Sequence, residues 1–220
     1  MASASQNPSR ASSDLHGPRP SLLRVSDHDL FLTVNDWARS TPWLHGVAKL
    51  YAGDGIVLFG LLLVLGGVLS LRRSRLLVVR SVLSGAAVLL AVGLNQPIVH
   101  AVNRARPFTV FPHALVLVQR SADASFPSDH ATMAGAVAVG LFFVQRRLGV
   151  IAAVLALLMA ATRVYVGAHF PGDVLAGLAF GGLVAAAVQL AAPRLNALVS
   201  SSRRRSPDTL ATGPERTLEA

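Results

Sequence analysis

From Gly55 to Ala192 long apolar stretches alternate with short polar breaks. Five stretches approach the ~20 residues needed to cross the hydrocarbon core of a bilayer. They run from Trp43 or Gly55 to Leu71, Leu76 to Val102, Ala131 to Gln145, Leu148 to Val166 and Val174 to Ala192. The third is short and gains length if it begins at Ser128. Pro97 is expected to bend the second span, Arg80 to snorkel toward its near surface, and Gly177 with Gly181 to form a close-packing face in the last. Ahead of the spans, Leu30, Phe31, Val34, Trp37 and Ala38 recur at helical spacing with charges opposite. That pattern fits a helix lying in the membrane interface, and it fits equally a helix packed on the domain from the aqueous side. The expectation is an all-α integral membrane bundle of about five transmembrane helices plus an N-terminal interfacial helix. Residues 1–27 are rich in Ser, Pro and Arg and contain no apolar core, so a disordered tail is expected there. The membrane domain then covers 28–199, and a disordered basic tail covers 200–220.

Composition supports the bilayer. The chain is 52% hydrophobic and 14% charged, with a mean hydropathy of +0.52, which is too apolar for an ordinary soluble domain. The formal charge of +9 comes almost entirely from Arg, since Lys49 is the single lysine. These Arg fall in short loops between spans with no aromatic-interleaved basic patch, so they speak for topology and anion binding and against nucleic acid as a partner. Cys is absent, which excludes disulfides, thiolate metal sites and a Cys nucleophile. The breaks sort into two sets by alternating crossings. Arg72-Arg73-Ser74-Arg75, Arg146-Arg147 and Arg194 with Arg203 to Arg205 form one set; 103–127 and 167–172 form the other. The positive-inside rule makes the first set cytoplasmic. The second set then faces the extracytoplasmic side of a multi-pass plasma-membrane protein.

The chemistry gathers in that second set. Between Gly55 and Pro207 the only carboxylates are Asp123, Asp129 and Asp173. Arg163, near the outer end of the fourth span, is costly in lipid and calls for an anion or a wet cavity. His169 and Asp173 follow, separated by Phe170-Pro171-Gly172. A turn there lets the carboxylate reach one ring nitrogen, fixing the tautomer and leaving the other nitrogen as nucleophile or base; the plainer alternative is a capped helix start beside an interfacial His. Phe126-Pro127-Ser128-Asp129-His130 precedes an apolar run, so Ser128 or Asp129 caps a helix whose first amides attract a phosphate oxygen. His130, in the first turn, can face His169 across that anion and protonate a leaving oxygen. Arg104 and Arg106 in Arg104-Ala105-Arg106-Pro107-Phe108 add forked donors suited to a phosphoryl group. No further carboxylate or Cys completes a metal shell around His130, His169 and Asp173, so neither metal nor cofactor is expected.

In this order the motifs resemble those of the type 2 phosphatidic acid phosphatases and their haloperoxidase relatives, over about residues 95–180. That family carries Lys-x6-Arg-Pro, Pro-Ser-Gly-His and Ser-Arg-x5-His-x3-Asp. The third motif matches at Arg163, His169 and Asp173, with Thr162 in the Ser position. The second matches at Pro127, Ser128 and His130, with Asp129 in place of Gly. The first matches at Arg106 and Pro107, with Val99 where Lys stands, leaving Arg104 or His100 to supply that cation. Phe-Pro-Ser-Asp-His, Arg-Pro-Phe and Tyr165-Val166-Gly167 look most like the bacterial undecaprenyl-diphosphate phosphatases of the bacitracin-resistance type. The resemblance implies a metal-independent phosphatase with His169 as nucleophile forming a phosphohistidine, Asp173 orienting it, and His130 as general acid. It further implies Arg106, Arg163, Ser128, Arg104 and Asp129 around the phosphate, and a membrane lipid phosphate as substrate. Phosphatidate, phosphatidylglycerophosphate and other polyprenyl phosphates would use the same motif residues. A non-catalytic lipid-phosphate binder needs only the Arg and the amides.

Overall fold

A capping box opens the fold. The Ser26 hydroxyl accepts the Asp29 amide and the Asp29 carboxylate accepts the Ser26 amide, starting helix α1 (Asp27–Ser40). The computed structural model describes residues 26–204, with side chains described through 194. Of the tails expected at 1–27 and 200–220, residues 1–25 and 205–220 lie outside the described residues; Ser26 and Asp27 belong instead to the folded domain, and 200–204 continue the last helix. After a 3₁₀ turn (Pro42–Leu44) come α2 (His45–Asp54), α3 (Ile56–Leu71), α4 (Arg75–Val102), the short α5 (Pro107–Val110), α6 (Asp129–Val144), α7 (Arg146–Tyr165) and α8 (Pro171–Arg204). The described residues thus form an all-α membrane bundle.

The five expected crossings are distributed unevenly. Three segments, Arg75–Val110, Arg146–Tyr165 and Pro171–Arg194, are long and apolar enough to span by themselves. The first expected span is a pair, Pro42–Asp54 and Ile56–Leu71, bent by 53°. Helix α6 has 16 residues and is the central helix, packed on α8, α7, α4 and α3. Six of its ten buried residues are Ala or Gly: Ala131, Ala134, Gly135, Ala136, Ala138 and Gly140. Large side chains point the other way on the outer helices, where Leu61, Val64, Leu89, Val154, Leu157, Leu183 and Leu190 are exposed. This is the arrangement expected where lipid solvates the outside, so close backbone approach rather than water exclusion holds the helices together. Gly135 and Gly181 show it directly. A Cβ on Gly181 would lie 1.9 Å from the Thr132 carbonyl oxygen, and one on Gly135 would lie 2.3 Å from that of Leu178. The sequence-level small face at Gly177 and Gly181 therefore seats α8 on α6.

Two features of the chain position the site. Helix α4 runs through Pro97 as one helix and ends at Asn103, whose φ of 44° is the left-handed conformation that turns the chain back over the bundle. The following segment is pinned: the Ser125 amide donates to the Arg104 carbonyl (2.8 Å) and the Leu117 amide to Val166 O (3.0 Å). Asn35, buried on α1, bonds both backbone groups of Leu115, donating from Nδ2 (2.8 Å) and accepting at Oδ1 (2.9 Å). Where the chain crosses beneath Leu115, Gly167 has φ 79°, and a Cβ would meet the Leu115 carbonyl at 2.4 Å. Helix α1 packs its buried Phe31, Asn35 and Ala38 on α7 and α8 at this same end, while Leu30 and Trp37 stay exposed. Arg80 reaches the Phe143 carbonyl (3.2 Å) at the C-terminal end of α6, at the opposite end of the bundle.

Candidate active site

Loops after α4 and α7, together with the start of α6, enclose a cavity of about 440 Å³. Its lining includes Gln96, Val99, His100, Arg106, Asp129, His130, Arg163 and His169. Motif residues far apart in the chain therefore converge on one space.

His169 sits at its floor, 3% exposed. Its Nδ1 lies 2.9 Å from the Ser125 carbonyl, and a carbonyl can only accept, so the proton is on Nδ1 and Nε2 carries an unprotonated lone pair. Nε2 faces two guanidiniums, Arg106 Nη1 at 3.3 Å and Arg163 Nη2 at 3.4 Å. Burial, first of all, holds this imidazole below its ordinary pKa; Asp173, with Oδ2 3.8 Å from Nδ1, pulls the other way, and the two Arg charges add to the lowering. A lowered pKa keeps His169 neutral at neutral pH, the form able to attack an electrophile.

The guanidiniums are held from behind by carbonyls. Arg106 donates from Nε to Asp123 O (2.8 Å) and from Nη1 to Ala168 O (3.1 Å), and Arg163 from Nη1 to Ala52 O (3.2 Å). Because neutral acceptors fix them, their charge remains available to an incoming anion. His130 lies in the first turn of α6, where the amides of Asp129 and His130 have no acceptor within the helix.

Three placements depart from the expectation. Asp173 is not hydrogen-bonded to His169, since 3.8 Å exceeds such a bond. Its Oδ2 accepts instead from the Ser125 hydroxyl and the Phe170 amide (2.8 Å), so Ser125 stands between acid and imidazole. Arg104 does not line the cavity. Its Nη1 binds Asp173 Oδ1 (2.6 Å) and its Nη2 binds Asp27 Oδ2 (2.7 Å), a double claim that turns the guanidinium away from any phosphate. Ser128 is fully buried, its amide given to the Asp173 carbonyl (3.1 Å) and its hydroxyl without a partner, so it also stands behind the cavity wall.

Asp129 does reach the cavity, where its Oδ1 accepts from Asn95 Nδ2 (2.7 Å) and Gln96 Nε2 (3.0 Å). Asn95 and Gln96 thus tie α4 to α6, the interhelical role such residues usually have. Val99 lines the cavity without charge, and exposed His100, one residue on, lines it too. Sequence reasoning missed Ser125 and Asp27. A Ser two residues before Pro127 carries no signal of its own, and Asp27 lies in a stretch whose composition reads as tail. Among the described residues no group of three His, Cys, Asp or Glu gathers as a metal ion would require.

The pattern of the PAP2 superfamily matches residues 80–197. The undecaprenyl-diphosphatase BcrC of Bacillus subtilis strain 168 is 29% identical over 153 residues, 69% of this chain and 77% of that protein. A lipid A 1-phosphatase of Rhizobium etli is 43% identical over 88 residues, 37% of each chain. Among solved structures, Aquifex aeolicus LpxE superposes with a TM-score of 0.59 at 28% identity, covering 73% of this chain and 92% of that one.

Proposed function

The chain belongs to the PAP2 superfamily and is a phosphatase of lipid phosphates, and from that premise we propose that it hydrolyses undecaprenyl diphosphate, or a closely similar polyprenyl diphosphate, to the monophosphate. The observation that carries the mechanism is the unprotonated Nε2 of His169, aimed between Arg106 and Arg163 into the cavity that His130 also lines. Nε2 attacks the terminal phosphorus, a nitrogen–phosphorus bond forms, and the bond to the bridging oxygen breaks. His130, protonated beside the negative charge of the bound diphosphate, gives its proton to that oxygen. Arg106, Arg163 and the first amides of α6 hold the three equatorial oxygens, where most stabilisation of a phosphoryl transfer is found. Water, deprotonated by His130, then cleaves the phosphohistidine and releases phosphate. Asp173 acts on His169 through Ser125, whose carbonyl holds the Nδ1 proton.

The polyprenyl substrate is favoured by the resemblance to BcrC over 69% of the chain, against 37% for the lipid A 1-phosphatase. A panel of undecaprenyl diphosphate, phosphatidate, phosphatidylglycerophosphate and lipid A 1-phosphate, assayed side by side with EDTA present, tests it. We expect phosphate release, at least about tenfold faster from the polyprenyl diphosphate by kcat/KM. Equal rates on all four reject the narrow reading, and loss of activity in EDTA rejects the metal-free mechanism.

The cavity is assigned to the extracytoplasmic side of the plasma membrane, because Arg72, Arg73, Arg75, Arg146 and Arg147 cluster at the other end of the bundle. The chain has no Cys, so a single introduced thiol reports its side cleanly. In intact cells a membrane-impermeant maleimide should label Thr109→Cys and spare Ser74→Cys; the reverse pattern inverts the topology.

A further inference from the structure

Helix α1 reaches into the network behind His169. Asp27, its first residue, accepts the Gly172 amide at Oδ1 (2.7 Å) and Arg104 Nη2 at Oδ2 (2.7 Å). Gly172 is the second residue of α8, so an amide left over at that helix start is satisfied by a carboxylate from another helix. Arg104 lies over the Phe170 ring at 4.3 Å and passes its other nitrogen to Asp173 Oδ1 (2.6 Å). Asp173 is fully buried and continues through Ser125 to His169 Nδ1. One line of charge and hydrogen bonds therefore runs Asp27, Arg104, Asp173, Ser125, His169.

The arithmetic of that line gives Asp27 a task. With Asp27 in place, Arg104 is shared between two carboxylates and the trio carries a net negative charge beside His169. Without it, Arg104 and Asp173 cancel, and the positive charge that develops on the imidazole during phosphoryl transfer loses its counter-charge.

Resting on the phosphatase reading above, we propose that Asp27 is a positioning residue: it holds Arg104 and the 169–173 turn so that Asp173 stays anionic toward His169 and Nε2 stays aimed at the phosphorus. The residue lies on α1, outside the segment that bears the family motifs.

The test uses the purified full chain and the lipid phosphate that the wild type turns over best. Asp27→Asn keeps an acceptor for Gly172 and removes the charge. It should lower kcat about tenfold with KM within about twofold. It should also move the acid limb of the kcat profile to lower pH, because loss of a negative charge makes protonation of His169 less favourable. The other groups facing His169, namely Arg106, Arg163, His130 and Asp173, and Asp129 across the cavity, are unchanged in this variant. Asp27→Glu should restore most of kcat, and Asp27→Asn should add little to Arg104→Gln, since both break the same line. Asp27→Ser is read in the same way if the Asn variant does not elute as a folded protein.

Wild-type kcat in the charge-removing variants overturns the proposal, as does a fall with an unmoved acid limb that Glu fails to rescue. Effects of Asp27 and Arg104 that simply multiply overturn it as well. A wild-type chain inactive on every lipid phosphate would instead sink the phosphatase reading itself.

Discussion

Replacing His169 with Ala is expected to remove catalysis, a fall on the order of 10⁴–10⁶-fold in kcat with the protein still folded. The reason is local. No other side chain lining the cavity presents an unprotonated nitrogen held between two guanidiniums, and His130, though it lines the same space, is hydrogen-bonded to neither Arg106 nor Arg163. The fold should survive the truncation, because the guanidiniums that meet the imidazole stay anchored on backbone carbonyls and the space left opens onto the cavity. Melting in detergent should therefore move little while phosphate release vanishes. In the wild type, kcat/KM should fall on acidification through an apparent pKa below about 6.5, the ordinary value for His, because burial and two positive neighbours depress that of His169. Above that point the neutral nucleophile is fully present, and below it the lone pair is lost. Retained activity in His169→Ala would mean that another group attacks phosphorus.

Arg163→Lys is expected to lower kcat by about 10²–10³-fold although the charge is kept. Arg163 does two things at once. Nη1 is anchored on the Ala52 carbonyl of α2, and Nη2 sits 3.4 Å from His169 Nε2, where an equatorial oxygen would lie during transfer. An ammonium has no fork and can satisfy only one of these positions. If it turns to the carbonyl, the transition state loses a donor; if it turns to the phosphate, α2 loses its tie to α7. The loss should fall on kcat more than on KM, because the oxyanion gains its charge only as the bond breaks. A Lys variant of wild-type activity would remove Arg163 from the proposed phosphate cradle.

How much of this was legible from residues alone varies with the physics. Spans on the lipid-facing helices announce themselves, because Leu and Val must face the acyl chains, and α4, α7 and α8 fall where the apolar stretches predict them. Helix α6 is less legible. It is surrounded by protein, so its sequence needs small residues rather than length, and its 16 residues fall short of an isolated span. The break at Gly55 was visible as an ambiguity in where the first span begins, and it is a bend of 53°.

Within the site, Arg106, Arg163, His130 and His169 meet at one cavity as their motif order suggests. What spacing could not reveal was which donor meets which acceptor. The i to i+4 separation of His169 and Asp173 reads as a direct contact, but the turn points the carboxylate at the Phe170 amide and Ser125, leaving 3.8 Å to the ring. Arg104 reads as a phosphate ligand because two carboxylates that claim it, Asp27 and Asp173, are remote in sequence. Asp27 was hidden for the complementary reason: a low-complexity tail and a helix cap share the same composition until the partner is known.

Whether His169 Nε2 takes the phosphoryl group can be seen by rapid acid-free quenching of the enzyme during turnover of a lipid diphosphate labelled in its terminal phosphate, followed by peptide mapping. Label is expected on a peptide containing His169, lost in acid and stable in base as a phosphoramidate is, and absent from His169→Ala. Label on any other residue, or rapid turnover with no labelled enzyme at any time on the quench series, would contradict that assignment.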